Sequence, residues 1–171
     1  MKKLLSLMLF LSLSVVADDN EIYVDQVGAT ANIDLEQLGS GNIIGGLLSA
    51  HGSMTNFDLD GTSMTLDVNQ IGNNNKMLGD INADTFTGLF DFDGDTNSYT
   101  IQVDPTNANS ADSSNVNVNV DGSTNTMTLD LAKTSLSSGA DIDTIIQGNS
   151  NTVNIDLDVD SATNYIDFDG D

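Results

Sequence analysis

Met64-Thr65-Leu66-Asp67-Val68-Asn69-Gln70-Ile71-Gly72-Asn73-Asn74-Asn75 is the stretch that decides the fold of this chain. Met64, Leu66 and Val68 fall at every second position, with Thr65, Asp67 and Asn69 between them. Period two is the strand period, and a polar partner at each alternate position predicts one buried face per strand. Gly72 closes the run and Asn75 opens the next. Both residue types tolerate the positive φ that tight corners demand.

The same sentence recurs along the chain. It reads Gln37-Leu38-Gly39-Ser40-Gly41-Asn42 before the opening stretch, then Gly94-Asp95-Thr96-Asn97, Gly122-Ser123-Thr124-Asn125 and Gly148-Asn149-Ser150-Asn151 after it. Val116, Val118 and Val120 repeat the alternation with Asn117 and Asn119 between them. A strand–turn–strand unit repeated in this way predicts a solenoid or stacked array. The glycines that follow such runs are Gly28, Gly39, Gly61, Gly72, Gly94, Gly122, Gly148 and Gly170. The first five are spaced 11, 22, 11 and 22 residues apart and so share one grid, and the last two are again 22 apart. The intervening steps of 28 and 26 call for insertions, placed near residues 104–114, where the only proline lies, and 133–140. A 22-residue step fits two strands of about five to six residues and two turns, one rung of a flattened β-solenoid. The expected fold is therefore all-β, with a period of about 22 residues and no sustained helical period beyond the first residues.

Gln26, Gln37 and Gln70 share the parity of the apolar residues that precede them, which points their amides inward. Other copies carry Leu59, Phe92, Val120, Ile146 or Phe168 at the matching place. A buried amide is costly unless it is hydrogen-bonded. Two arrangements satisfy it. Rungs about 4.7–4.8 Å apart let identical amides bond in ladders, in which Asn42, Asn75, Asn97, Asn125 and Asn151 would join; alternatively each glutamine bonds only within its own Gly-x-x-Asn corner.

Residues 1–17 read as a secretory signal. Lys2 and Lys3 precede an apolar stretch from Leu4 to Val16, and Val15-Val16-Ala17 is a small-residue cleavage site. This segment is expected to be a signal-peptide helix, leaving residues 18–171 as one secreted, extracellular or surface-bound repeat domain with no transmembrane segment. What remains carries Lys76 and Lys133 against 26 acids, a net charge of −24, and no arginine. Nucleic-acid binding rests on Lys and Arg neutralising phosphates, so that class of partner is excluded. With no cysteine there is no disulfide framework.

Chemical sites are few. Asp91-Phe92-Asp93-Gly94-Asp95 and Asp167-Phe168-Asp169-Gly170-Asp171 set acids at alternate positions around a glycine. Calcium takes such oxygen ligands, yet the order does not match a helix–loop–helix calcium loop. The simpler reading is an outward acidic face over inward Phe90, Phe92 and Phe168. Stacked rungs would set Asp over Asp, so ordering is expected to respond to salt, to weak and nonspecific calcium, and to acid. His51 is the only histidine, in a Gly/Ser-rich stretch with no serine elbow or oxyanion donors placed near it. No cofactor and no catalytic residue is expected, and the chain reads as a non-enzyme. The sequence ends at Gly170-Asp171, midway through a corner, so either it is a fragment or its last rung is unfinished and open to a partner.

Gln-x-Gly-x-x-Asn at Gln37/Gly39/Asn42 and Gln70/Gly72/Asn75 resembles the repeat of the curlin family, the secreted subunits of curli-type functional amyloid fibres. Gln26-Val27-Gly28 is a near match, with Asn32 one residue late, and from Phe90 onward the glutamine gives way to apolar residues. The resemblance implies a β-solenoid that self-associates through open ends into surface fibres serving cell adhesion and matrix formation. The chain is also similar to acidic repeat proteins of marine bacteriophages, with the Asn20-Glu21-Ile22-Tyr23-Val24-Asp25-Gln26 stretch after a signal-like segment. That likeness implies an alternative role as a virion or fibre component, a monomeric β-repeat module contacting glycans, cations or a surface.

Overall fold

The structure is a computed structural model that describes residues 20–39, 41–45, 57–103, 112–131 and 137–170. Residues 1–17, His51, Lys133 and most of the two expected insertions lie outside the described residues.

Every strand pairs in parallel with the strand one turn away, so the sheet winds around itself as a β-solenoid. The strands are β1 (Glu21–Ile22), β2 (Asp25–Val27), β3 (Thr30–Leu38), β4 (Ile43–Ile44), β5 (Phe57–Ile71) and β6 (Lys76–Asp93). They continue as β7 (Thr96–Val103), β8 (Asn115–Asp121), β9 (Thr124–Leu131), β10 (Ser137–Gln147), β11 (Ser150–Leu157) and β12 (Val159–Asp169). No helix occurs among the described residues, and none is long and apolar enough to cross a membrane.

Each turn has two flat halves. β4, the start of β6, β7, β9 and β11 form one face; the end of β5, the end of β6, β8, β10 and β12 form the other. β5 and β6 bend from one face to the other, and the buried parity switches at the bend. In β5 it passes from Phe57 and Leu59 to Met64, Leu66 and Val68, and in β6 from Met77, Ile81 and Ala83 to Phe86, Phe90 and Phe92. Alternate positions then point inward from both faces into one shared core, as the period-two pattern predicts. Across the inside of a corner Phe92 stacks on Tyr99, ring centroids 3.7 Å apart and planes 11° apart. Phe57 fills the space left by Gly79, its partner in register.

The pairing register corrects the spacing expected from sequence. Corner glycines Gly39, Gly72, Gly94, Gly122, Gly148 and Gly170 stack in one column, the pairing offsets being 33, 22, 28, 26 and 22 residues. Gly28 and Gly61 stack in a second column, at the opposite corner, where the third turn carries Ala83. The eleven-residue grid therefore mixes two different corners. The cause is a third excess of residues. Glu21 pairs with Ile43, a step of 22, but Asp25 pairs with Asp58, a step of 33, so the second turn gains eleven residues between β4 and β5. Eleven is half of a bare turn, and the excess kept the glycines on the grid while displacing the corners. At the other end of the expected 133–140 insertion, residues 137–140 are the start of β10, where Gly139 makes a bulge with φ +72°.

The corner glycines also answer to a different constraint from the one the sequence suggested. Only Gly39 (φ +155°) and Gly148 (φ +140°) of the stacked column have positive φ. What the column shares is close approach: a Cβ on Gly72 would collide with the Gly39 carbonyl oxygen, and one on Gly148 with that of Gly122. Gly28 lacks this contact, its nearest neighbour being the Gln26 amide at 3.3 Å. Gly72→Ala is expected to destabilise the fold by about 1–3 kcal/mol through overpacking, while Gly28→Ala costs much less. Thermal unfolding of the two variants measures the difference, and equal losses would refute a steric role for the column.

Candidate functional site

The feature most unlike an ordinary β-protein is the column of amides inside the Gly-x-x-Asn corner. Gln37 and Gln70 lie in register and are buried, and Gln70 Nε2 donates to Gln37 Oε1 at 2.7 Å. Gln37 Nε2 also donates to the Ile43 carbonyl at 2.8 Å and Gln70 Nε2 to that of Lys76 at 3.1 Å, each across its own corner. Both arrangements left open by the sequence are thus realised together: the glutamines ladder between turns and also brace their corners. Asn42 and Asn75 return the brace, their Nδ2 groups donating to the Gln37 and Gln70 carbonyls at 3.1 and 3.0 Å.

Asparagines extend the column as two bonded runs, Asn20 to Asn75 and Asn97 to Asn151, with a break between Asn75 and Asn97. Asn20 donates to Asn42 Oδ1 at 3.4 Å, Asn42 to Asn75 Oδ1 at 3.2 Å, Asn97 to Asn125 Oδ1 at 2.8 Å and Asn125 to Asn151 Oδ1 at 2.9 Å. Asn97, Asn125 and Asn151 brace a different atom, the carbonyl of Gly94, Gly122 or Gly148 three residues back. The corner therefore has two forms, one with glutamine and one without. The change falls between Asn75 and Asn97. There Phe92 stacks over Gln70, and two buried oxygens, Gln70 Oε1 and Asn97 Oδ1, have no hydrogen-bond partner. Tyr99 fills the same seam, its hydroxyl likewise without a hydrogen-bond partner, and burial pushes its phenol well above the ordinary range.

Gln26 departs from expectation. It faces inward, half-buried, but stacks over Leu59 in the other corner column, and its Nε2 reaches only its neighbour's carbonyl, that of Val27, at 3.3 Å. Its parity was readable from sequence; its column was not, because the hidden eleven-residue excess moved Leu59 under it. Asn20, which joins the asparagine column at its first described turn, escaped the sequence reading for want of a preceding Gly-x-x.

The acids take outward positions along the strands, although Asp130 is buried. Asp25, Asp58 and Asp80 stack three high, and Asp34 pairs with Asp67 and Asp93 with Asp121. Amides face two other carboxylates: Asn119 donates to Asp91 at 3.0 Å and Gln102 to Asp130 at 3.3 Å, while Asp130 lies directly opposite Asp156 on its other side. Among the described residues no group of three or more acids or histidines converges as a metal site. A polar groove of about 300 Å³ follows the corner column, lined by the glycine turns with Asp93, Asp95 and Asp121. Comparison with protein-family models, curated proteins and solved structures finds no match for this chain.

Two tests follow from this geometry. Gln37→Leu and Gln70→Leu should each cost about 1–3 kcal/mol by stranding the partner amide, and the double variant less than their sum, since hydrocarbon already fills this column at Phe92 and Val120. Denaturant unfolding of the three variants reads the coupling, and strict additivity would exclude it. For Asp58, burial first, then Asp80, Asp25 and Asp60, raise the carboxyl above its ordinary value of 3.8. A raised carboxyl favours the folded state when protonated, so this contribution is complete below 3.8 and is lost as pH rises through the folded value. Stability should therefore increase as pH falls from neutral toward about 4, and Asp58→Asn should stabilise the neutral protein and flatten that rise.

Proposed function

We propose that the chain is a secreted structural protein whose solenoids stack end to end into surface fibres or an adhesive matrix. The observation that carries this reading is the state of the two end turns. β12 has no strand beyond it among the described residues, and its inward residues Ile166 and Phe168 are 45% and 50% exposed. At the other end Ile22, Val24, Ile33 and Leu35 face the core but are only half-buried. An unpaired strand with an apolar inner face is a template for another chain.

The two ends also match in pattern. Following the register through every turn, Phe168 lies in the column of Gln37 and Ile166 in the column of Leu35. A second copy added in register continues both columns and sets Asp167 against Glu36 and Asp156 against Asp25. Like charges directly opposite oppose the joint. Salt or acid relieves them.

A second reading is a monomeric module, of the kind a bacteriophage fibre would carry, that holds a glycan in the corner groove beside Asp93, Asp95 and Asp121. Negative-stain microscopy with size-exclusion chromatography separates the two. The fibre reading expects filaments whose growth accelerates at high salt or toward pH 4, and which Phe168→Lys stops while the outward Asn117→Lys does not. A stable monomer across the salt and pH series removes that reading and leaves the module.

A further inference from the structure

One outer face differs from the rest of this acidic surface. Residues 124–128 of β9 read TNTMT, with the neighbouring strands TNSYT at 96–100 of β7 and SNTVN at 150–154 of β11. Asn97, Asn125, Tyr99 and Met127 point inward and are buried, so the outward positions hold only Thr, Ser and one Asn. The three strands pair without a register shift, placing Ser98, Thr126 and Thr152 in one column, with Thr96, Thr124 and Ser150 on one side and Thr100, Thr128 and Asn154 on the other. Three strands by three outward positions make nine uncharged side chains on a protein with a formal net charge of −22. Charge resumes at the borders, with Asp95 at the corner, Asp130 and Asp156 beyond the far column, and Lys76 on the adjoining strand.

Parallel strands fix the mesh of this array. Its columns repeat about 4.8 Å apart between strands, and its rows about 6.6 Å apart along them, two residues at a time. The floor is rigid, since Tyr99, Ile101, Met127 and Leu129 beneath it are fully buried in the shared core. A hydroxyl both donates and accepts, and threonine adds a methyl beside it. Acidic faces elsewhere on the solenoid hold water in the orientation their own charges impose. This face imposes none.

We propose that the β7–β9–β11 face binds the surface of ice. A two-dimensional periodic array calls for a partner that is itself periodic, and an uncharged array within a strongly acidic surface calls for an uncharged one. Ice is a neutral lattice of oxygen donors and acceptors whose surface repeats are on the scale of this mesh. A crystalline polysaccharide is also periodic, but its flat sugar faces are held by aromatic platforms, and the one aromatic residue of these three segments, Tyr99, is turned inward. The proposal does not depend on fibre assembly, because the array is complete within one copy.

The test uses the monomeric fraction of the full chain, with ice recrystallisation inhibition and partition into a slowly growing ice front as readouts. The expected result is that the chain enters ice and halts recrystallisation. Thr126→Tyr at the centre of the array and Thr152→Tyr in the same column should each lose most of both activities. Asn117→Tyr on the opposite face should retain them, with circular dichroism confirming the fold of each variant. Absence of ice activity in the unmodified chain overturns the proposal, as does equal loss in the Asn117 variant. Retention on microcrystalline cellulose or chitin that Thr126→Tyr abolishes, without ice activity, assigns the face to polysaccharide instead and equally overturns it.

Discussion

The whole structure depends on how closely one turn can lie on the next at the Gly-x-x-Asn corner. Parallel strands stack at a fixed hydrogen-bonding distance, and a flattened solenoid must keep that distance while the chain reverses direction. At the corner the Gly39 carbonyl sits where a Cβ of Gly72 would go, and the Gly122 carbonyl where one of Gly148 would go. Asparagine then holds the corner closed, bonding both its own turn and the next, as Asn125 does to the Gly122 and Gln147 carbonyls and to Asn151. Glycine makes the approach sterically possible and the amide makes it cohesive. Neither alone would keep successive turns in register.

That register has to survive a heavy load of negative charge. Stacking aligns like positions, so each outward acid meets whatever the neighbouring turn carries at the same place. The chain breaks up several columns with amides and hydroxyls, as at Asp91 with Asn119 and Asp141 with Thr163. Where it does not, at Asp25, Asp58 and Asp80, the middle carboxyl is driven toward its protonated form. The neutral hydroxyl face of β7, β9 and β11 and the acidic corners are thus two outcomes of one rule. Whatever residue a turn places outward is multiplied by stacking.

The glutamine columns show how far a linear reading reaches. Parity alone placed Gln37 and Gln70 inside, and the equal steps of the motif suggested that they meet. They do, over a step of 33 residues that contains both a bare turn and a hidden half-turn. The same arithmetic misplaced Gln26, because an excess equal to half a turn leaves glycine spacing unchanged while exchanging the corners. The two unpartnered oxygens of Gln70 and Asn97 were equally invisible. They arise only because a corner with glutamine is followed by one without it, and a motif read one copy at a time does not see the seam.

The sequence by itself determined that this chain is built of strands, which side of each strand is buried, and that glycine and asparagine mark its corners. These are local properties: alternation sets the face of a strand wherever it lies, and corner chemistry depends on a few neighbouring residues. Only the tertiary structure decided which corner stacks on which, that two forms of the corner meet between Asn75 and Asn97, and that nine hydroxyl and amide side chains form one flat neutral array. Those are matters of register between turns 22 to 33 residues apart. Register is set by the sum of every insertion along the way, and no single stretch of the chain contains it.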